Sequence, residues 1–257
     1  IAGFTILNLK SLIWNLSQFS AFKKSEGYAK FAKSNAASTQ LAMPLALAMS
    51  VNAMFIVGLV FVPGLWGIIE YLFPAALIVF ALIAAIALRM IGTFIGNVVA
   101  DGSFDESANG SFAQALPGFA LAMVAVGMSA PAAMSGLKLT VGISLVLSTF
   151  VGVIAVVYAT LAIFASILGM IRHGAAREVA PTLMITIPLM TVLGIMVLRQ
   201  NHGLHEMFDV HAAPAETLML TAKFLGIQLA FLGLGLSVLK VQGYWDDFVI
   251  GEKTSVG

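Results

Sequence analysis

Six stretches of this chain are each apolar over about 20 residues or more, and no other feature limits the fold as strongly. A membrane-spanning helix needs about 20 predominantly apolar residues, so each stretch predicts one span. Hydrophobic residues make up 60% of the 257 residues and charged residues 10%, too few charges to coat a soluble surface. The sequence therefore predicts an all-α integral membrane protein whose spans lie at roughly 36–62, 66–92, 112–136, 139–171, 179–199 and 216–240.

A seventh apolar segment, 1–20, is interrupted by Asn8, Lys10 and Asn15. Two interpretations stay open for it: the tail of an earlier span sliding into the interface, or an amphipathic helix on the membrane surface. The chain begins in apolar sequence and ends at Gly257 without a closing element. We therefore expect a single transmembrane domain over 1–257 that is a fragment of a longer protein.

Three prolines recur at nearly constant intervals. Pro44, Pro117 and Pro188 lie 73 and 71 positions apart, each near the middle or entrance of an apolar stretch, and the stretches between them have none so deep. A proline inside a helix removes a backbone hydrogen bond and bends the helix, and in a membrane bundle its neighbours or a water-filled cavity satisfy the freed carbonyl. The spacing predicts a repeated hairpin of one bent and one straight helix, with the bent helices on the inside.

Basic residues are divided unevenly between the two predicted sides of the membrane. Ten of the 13 lysines and arginines lie on one side, and these include the five lysines of the 10–33 segment. Only Lys138, Arg199 and Lys223 lie on the other side. Since cytoplasmic loops carry the excess of lysine and arginine, we expect a multi-pass protein of the cell membrane with 10–33 in the cytoplasm.

Several classes of function are disfavoured. The net charge of +1 gives no reason to expect a nucleic-acid partner, and the lack of cysteine removes thiolate ligands. The spans hold no acidic residue away from their ends, which argues against a carboxylate-driven proton antiporter. The predicted outer loop 200–215 gathers histidines and carboxylates that can bind a divalent metal, but their spacing matches no specific pattern: His202, His205, Glu206, Asp209 and His211. We expect a solvated loop there, no metal and no cofactor.

The bent helices supply candidates for a pathway. Interrupted helices expose N–H groups with partial positive charge, which favours an anion. Phe119 would plug a bend, or else it packs in the core; Asn52 would line the path, or else it makes an interhelical hydrogen bond. The candidate lining residues are Pro44, Asn52, Pro117, Phe119, Ser129, Ser135, Pro188 and Thr191.

Small residues predict close helix contacts in the straight helices. Ser144, Ser148 and Gly152 repeat every four residues, and Gly92 and Gly96 have the same spacing. Small side chains at this spacing let membrane helices approach closely. We expect both faces to pack against neighbouring helices.

Three runs of the sequence, at 35–52, 62–74 and 125–135, resemble the TsoY family. That family is similar to the tellurite-resistance and dicarboxylate-transporter group of TehA and the plant slow anion channels. The resemblance implies ten helices in five hairpins, each inner helix bent by proline, of which six to seven would be present here. It also implies a trimer and a pore closed by a phenylalanine of the ninth helix, which this chain does not reach.

We expect a membrane channel or transporter that passes or exports a small anion through a central pore, in contact with the lipid bilayer. The alternative is a non-transporting membrane subunit packed within a larger membrane complex. An intramembrane enzyme is disfavoured, because the spans carry neither a nucleophile with a base nor a convincing metal set.

Overall fold

The computed structural model describes residues 2–102, 104–105, 107, 109–175, 177–210, 213–251 and 253. This part of the chain is helical and contains no strand. Three 3₁₀ segments, Asn35–Leu41, Phe112–Ala115 and Arg177–Ile185, lead directly into α-helices. The α-helices are α1 (Ala2–Phe22), α2 (Gly27–Ala32), α3 (Ala42–Phe61), α4 (Ile69–Asp101), α5 (Leu116–Met128), α6 (Ala130–Met134), α7 (Lys138–His173), α8 (Thr186–Phe208) and α9 (Pro214–Val241).

The prediction of six spans is confirmed. Six helical segments are long and apolar enough to cross a membrane: Asn35–Phe61, Ile69–Ala100, Phe112–Met134, Lys138–His173, Arg177–Phe208 and Pro214–Val241. Helix α1 is not among them, but it packs along α3, where Asn8 Nδ2 donates a hydrogen bond of 2.7 Å to Ser50 Oγ. This contact favours an α1 that belongs to the bundle.

Each of the three recurring prolines lies where a 3₁₀ segment becomes an α-helix. Pro44 and Pro188 are the third residues of α3 and α8, and Pro117 is the second residue of α5. At these positions proline fits well, because the first N–H groups of an α-helix have no partner within it. The expectation that the intervening helices carry no proline so deep is wrong, since Pro74 is the sixth residue of α4.

The spans form three hairpins, α3 with α4, α5 with α7, and α8 with α9, of which α3, α5 and α8 lie side by side. Asn52 Nδ2 of α3 is 3.8 Å from Met123 Sδ of α5, and Arg199 Nη1 of α8 is 2.7 Å from the carbonyl oxygen of Val126. These pairs are 71 and 73 residues apart, each within two residues of the interval between the prolines of the same two helices, 73 and 71. Corresponding positions of successive hairpins therefore lie at similar depth, and the sequence repeat is a structural repeat.

Helix α5 lies at the centre of the bundle. It contacts α3, α4, α7 and α8, and most of its side chains are buried. Helix α9 lies at the periphery and is the least buried span. The expected contrast between enclosed bent helices and peripheral straight helices holds for these two, but α3 and α8 are no more buried than α4 and α7.

The prediction of close helix contacts at small residues holds for α7 but not for α4. A Cβ atom on Gly152 would lie 2.7 Å from Met196 Sδ of α8, so the predicted close contact of α7 is confirmed. Gly92 and Gly96 of α4 have no atom of the described chain within 4 Å of such a Cβ. The prediction of a tight contact at these two glycines is wrong for the contacts within this chain.

Candidate functional site

The central span is broken at Ser129, between α5 and α6. Pro131 has no N–H, so the regular helical hydrogen bonds cannot continue through this point. Ser144 of α7, which is fully buried, connects the two sides of the break. Its Oγ donates to the Met128 carbonyl oxygen at 2.6 Å and accepts from the Ala132 N–H at 3.0 Å. A side chain from a neighbouring helix thus satisfies backbone groups that would be costly to leave unpaired in a membrane.

The carbonyl oxygen of Val126, one turn before the break, accepts from two side chains. Ser129 Oγ donates to it at 2.9 Å and Arg199 Nη1 at 2.7 Å. The apolar stretch ends at Arg199 as expected, but α8 itself continues to Phe208. At a rise of about 1.5 Å per residue, Arg199 lies about 14 Å from the end of the helix. The hydrogen bond to Val126 places the guanidinium beside the central span, eight residues before its last residue, Met134.

Arg199 lines a partly open cavity of about 140 Å³ bordered by α3, α4, the α5–α6 break and α8. Most of its wall is apolar, including Phe55, Phe73 and Phe80, and Arg199 is its one ionisable residue. Within the described part of the chain, no carboxylate lies within ion-pair distance of Arg199. Since a guanidinium has five N–H donors and Val126 takes one, the cavity adjoins a cation with donors left over.

Asn52 lines the same cavity from α3. Its Nδ2 donates to the Ala48 carbonyl oxygen at 3.0 Å and contacts Met123 Sδ across the helix interface. This side chain therefore borders the cavity and joins α3 to α5, which combines both of the roles considered for it. The ring of Phe80, on α4, packs directly against Gly127 of α5. This ring therefore forms the part of the cavity wall next to the break.

The other predicted pathway residues lie elsewhere. The lining of this cavity, as far as the chain is described, includes none of Pro44, Pro117, Phe119, Ser129, Ser135, Pro188 and Thr191. Pro44 and Pro117 are buried where their helices begin, and Pro188 is exposed.

The remaining four candidates each have an identified contact. Phe119 is half-buried and packs against the core, and Ser129 is fully buried. Thr191 is exposed and its hydroxyl accepts from Gln228 Nε2 of α9 at 3.0 Å. Ser135 donates to Glu70 Oε2 at 2.7 Å near the opposite end of α6 from the break. The structure thus places Asn52 and Arg199 around the same cavity, although the sequence pattern had placed Arg199 at the end of an apolar stretch.

The histidine-rich region is not a loop. His202, His205 and Glu206 lie on the last turns of α8, which ends where Asp209 adopts a left-handed conformation with φ of 54°. The loop prediction is wrong because polar side chains end the apolar stretch, but the backbone hydrogen bonds of the helix continue through them. His211 lies outside the described residues. Among the residues that are described, no group of three or more side chains is placed to bind a metal.

No family model matches the chain, and no curated protein or solved structure matches it either. The resemblance to the TsoY family stays a prediction.

Proposed function

We propose that this protein is a channel or transporter for a small anion and that Arg199 binds the anion in the cavity at the α5–α6 break. The observation that carries the proposal is a half-buried cation that is hydrogen-bonded to the central span and has no carboxylate partner among the described residues. Ionisable groups at such depth are costly and usually mark a substrate or ion pathway. An anion in the cavity would supply the missing countercharge.

The size and the wall of the cavity favour a small and weakly hydrated anion. A water molecule occupies about 30 Å³ in the liquid, so a cavity of about 140 Å³ accepts an ion of a few heavy atoms. The aromatic wall offers little to replace a tightly held hydration shell. One guanidinium provides one positive charge, which suits a monovalent ion.

The hairpin repeat supports a TehA-like plan of ten helices as part of this proposal. Parallel α3, α5 and α8 at matched depth are what an inner ring of bent helices requires. We propose that further hairpins, together with these three, enclose the pore, and that the protein resides in the cell membrane with 10–33 in the cytoplasm. We also propose that the protein forms a homotrimer, as the resemblance to the TsoY family implies.

Anion flux in proteoliposomes tests the proposal with the full-length protein. Arg199→Gln should reduce the flux of chloride or nitrate at least tenfold, because it removes the charge that stabilises the ion. Arg199→Lys should retain a large part of the flux. Lys223→Gln is the matched control, since Lys223 is an exposed cation of α9 outside the cavity, and it should leave flux unchanged.

Unfolding must be measured alongside flux, because Arg199 also holds Val126. Flux that is unaffected in a folded Arg199→Gln protein contradicts the assignment of Arg199. A full-length protein that carries no anion at all contradicts the transport function and favours the alternative of a non-transporting subunit in a larger membrane complex.

A further inference from the structure

A second cavity lies at the opposite end of the spans from the Arg199 cavity. It has a volume of about 460 Å³ and is formed by the corner between α1 and α2, the Asn35–Leu41 segment with the start of α3, and the second half of α4. Two cations, Lys23 and Arg89, line it, and no acidic side chain does. We refer to this cavity as the Lys23–Arg89 groove.

Aromatic contacts position Lys23, and neither cation of the groove is neutralised by a carboxylate of the described chain. Lys23 Nζ lies 4.9 Å from the ring centroid of Phe19. Edge-to-face contacts of Tyr28 with Phe19 and Phe22, at centroid distances of 6.3 and 5.8 Å, fix the corner that carries it. Throughout the described ranges, neither Lys23 nor Arg89 has a carboxylate within ion-pair distance. The groove therefore presents two positive charges to whatever occupies it.

The depth of Arg89 places the groove at the edge of the bilayer. Arg89 follows Ile69, the first residue of α4, by 20 positions, and 20 residues of helix extend about 30 Å, the thickness of the hydrocarbon core. If α4 enters the hydrocarbon at its first residue, Arg89 reaches the headgroup layer on the other side. Arginine and lysine at this level project into the polar layer while their stems pack on apolar groups.

The groove is apolar on the side nearer the middle of the spans, and its lining is mixed on the side nearer the end of α4. Met43 and Ile86 line its deep part, whereas Thr93 and Asn97 line the part nearer the end of α4. A ligand that matches it has an anionic head between two cations and an apolar part directed into the bilayer. Soluble anions provide only the first of these features.

We propose that the Lys23–Arg89 groove binds one anionic phospholipid, with the phosphodiester between Lys23 and Arg89 and an acyl chain along Met43 and Ile86. The phosphate carries the charge that the two cations lack, and the lipid is present at this level in any membrane that contains it. The bound lipid joins the α1–α2 corner to α4. The inference is independent of the proposed anion transport, because the two cavities share no lining residue.

Native mass spectrometry of the full-length protein tests the site with phosphatidylglycerol and with phosphatidylcholine of the same acyl chains. The wild type should retain one phosphatidylglycerol in preference to phosphatidylcholine. Each basic side chain beside an anionic lipid contributes about a fivefold factor, so Lys23→Gln with Arg89→Gln should weaken phosphatidylglycerol binding about 25-fold. Lys23→Arg with Arg89→Lys keeps both charges and should retain binding.

The control removes the same charge from exposed positions outside the groove, as Lys24→Gln with Lys240→Gln, and should leave lipid binding unchanged. An equal loss in this control overturns the proposal, since general attraction would then explain the binding. Retention of phosphatidylglycerol by the Lys23→Gln, Arg89→Gln protein overturns it as well. Displacement of the lipid by millimolar inorganic phosphate would show that a free anion is the ligand, which also contradicts the proposal. Thermal unfolding in neutral lipid confirms that each variant is folded.

Discussion

The close approach of α5 to α7 at Gly118 provides a quantitative test of the packing. A methyl group on Gly118 would lie 2.7 Å from Ala159 Cβ and 3.0 Å from its Cα and N. Carbon atoms in contact are about 3.5–4.0 Å apart, so Gly118→Ala should push the two helices apart by about 1 Å. Overpacking of this kind costs about 1–3 kcal/mol, and the better helix propensity of alanine recovers at most about 1 kcal/mol. With the full propensity gain we expect a net loss of up to about 2 kcal/mol, measured by reversible unfolding in mixed micelles followed by circular dichroism.

A matched substitution separates the packing term from the propensity term. Gly226 lies within α9, and no atom of the described chain lies within 4 Å of the position that a methyl group there would occupy. Gly226→Ala should therefore be neutral or stabilising by up to about 1 kcal/mol. Adding Ala159→Gly to Gly118→Ala removes the 2.7 Å contact and should give a favourable coupling energy in a double-mutant cycle. Equal stability of the two glycine variants, or a coupling of zero, would refute the reasoning.

Three further expectations concern the pathway, the topology and the C-terminal turn. Phe119→Ala should raise anion flux if the ring plugs the bend; unchanged flux with a loss of about 3–5 kcal/mol of stability would instead identify core packing. Single cysteines at positions 24 and 205 should react with an impermeant maleimide from opposite sides, and labelling of both from one side would contradict the topology. A hydrogen bond from Arg177 at 2.8 Å keeps the pKa of Asp247 below its ordinary value. The resulting stabilisation is complete above the ordinary carboxyl pKa and lost as the pH falls through the lowered one. The protection factors of this turn against hydrogen exchange, which are corrected for the intrinsic exchange rate at each pH, should therefore fall in acid in the wild type but not in Asp247→Asn.

The number of spans and their repeat could be predicted from the sequence, because both are local properties. Hydropathy is a sum over about 20 consecutive residues, and the structure has six spans where six apolar stretches occur. The intervals between Pro44, Pro117 and Pro188 reappear as contacts between parallel helices. The position of each proline within its helix was harder to predict, because a hydrophobic pattern does not distinguish a 3₁₀ segment from the α-helix that follows it.

The positions of individual charged and polar groups depended on the tertiary structure. Arg199 follows an apolar stretch and therefore resembled the end of a span, but α8 continues for nine more residues. Its guanidinium lies inside the bundle because Val126, 73 positions earlier, exposes a carbonyl oxygen near the break in α5. Ser144 looked like a small residue for close packing, and its two hydrogen bonds across the break require the register of α7 against α5.

The sequence by itself thus indicated a helical membrane protein with six spans, since an apolar stretch of about 20 residues can cross a bilayer as a helix with all its backbone hydrogen bonds made internally; the proline intervals indicated the repeat. The tertiary structure alone decided which residues meet: Asn52 with Arg199 around one cavity, and Lys23 with Arg89 around the other. Residues of each pair are at least 60 positions apart. Their meeting depends on helix register and on where each helix ends, and neither of these follows from the composition of a local window.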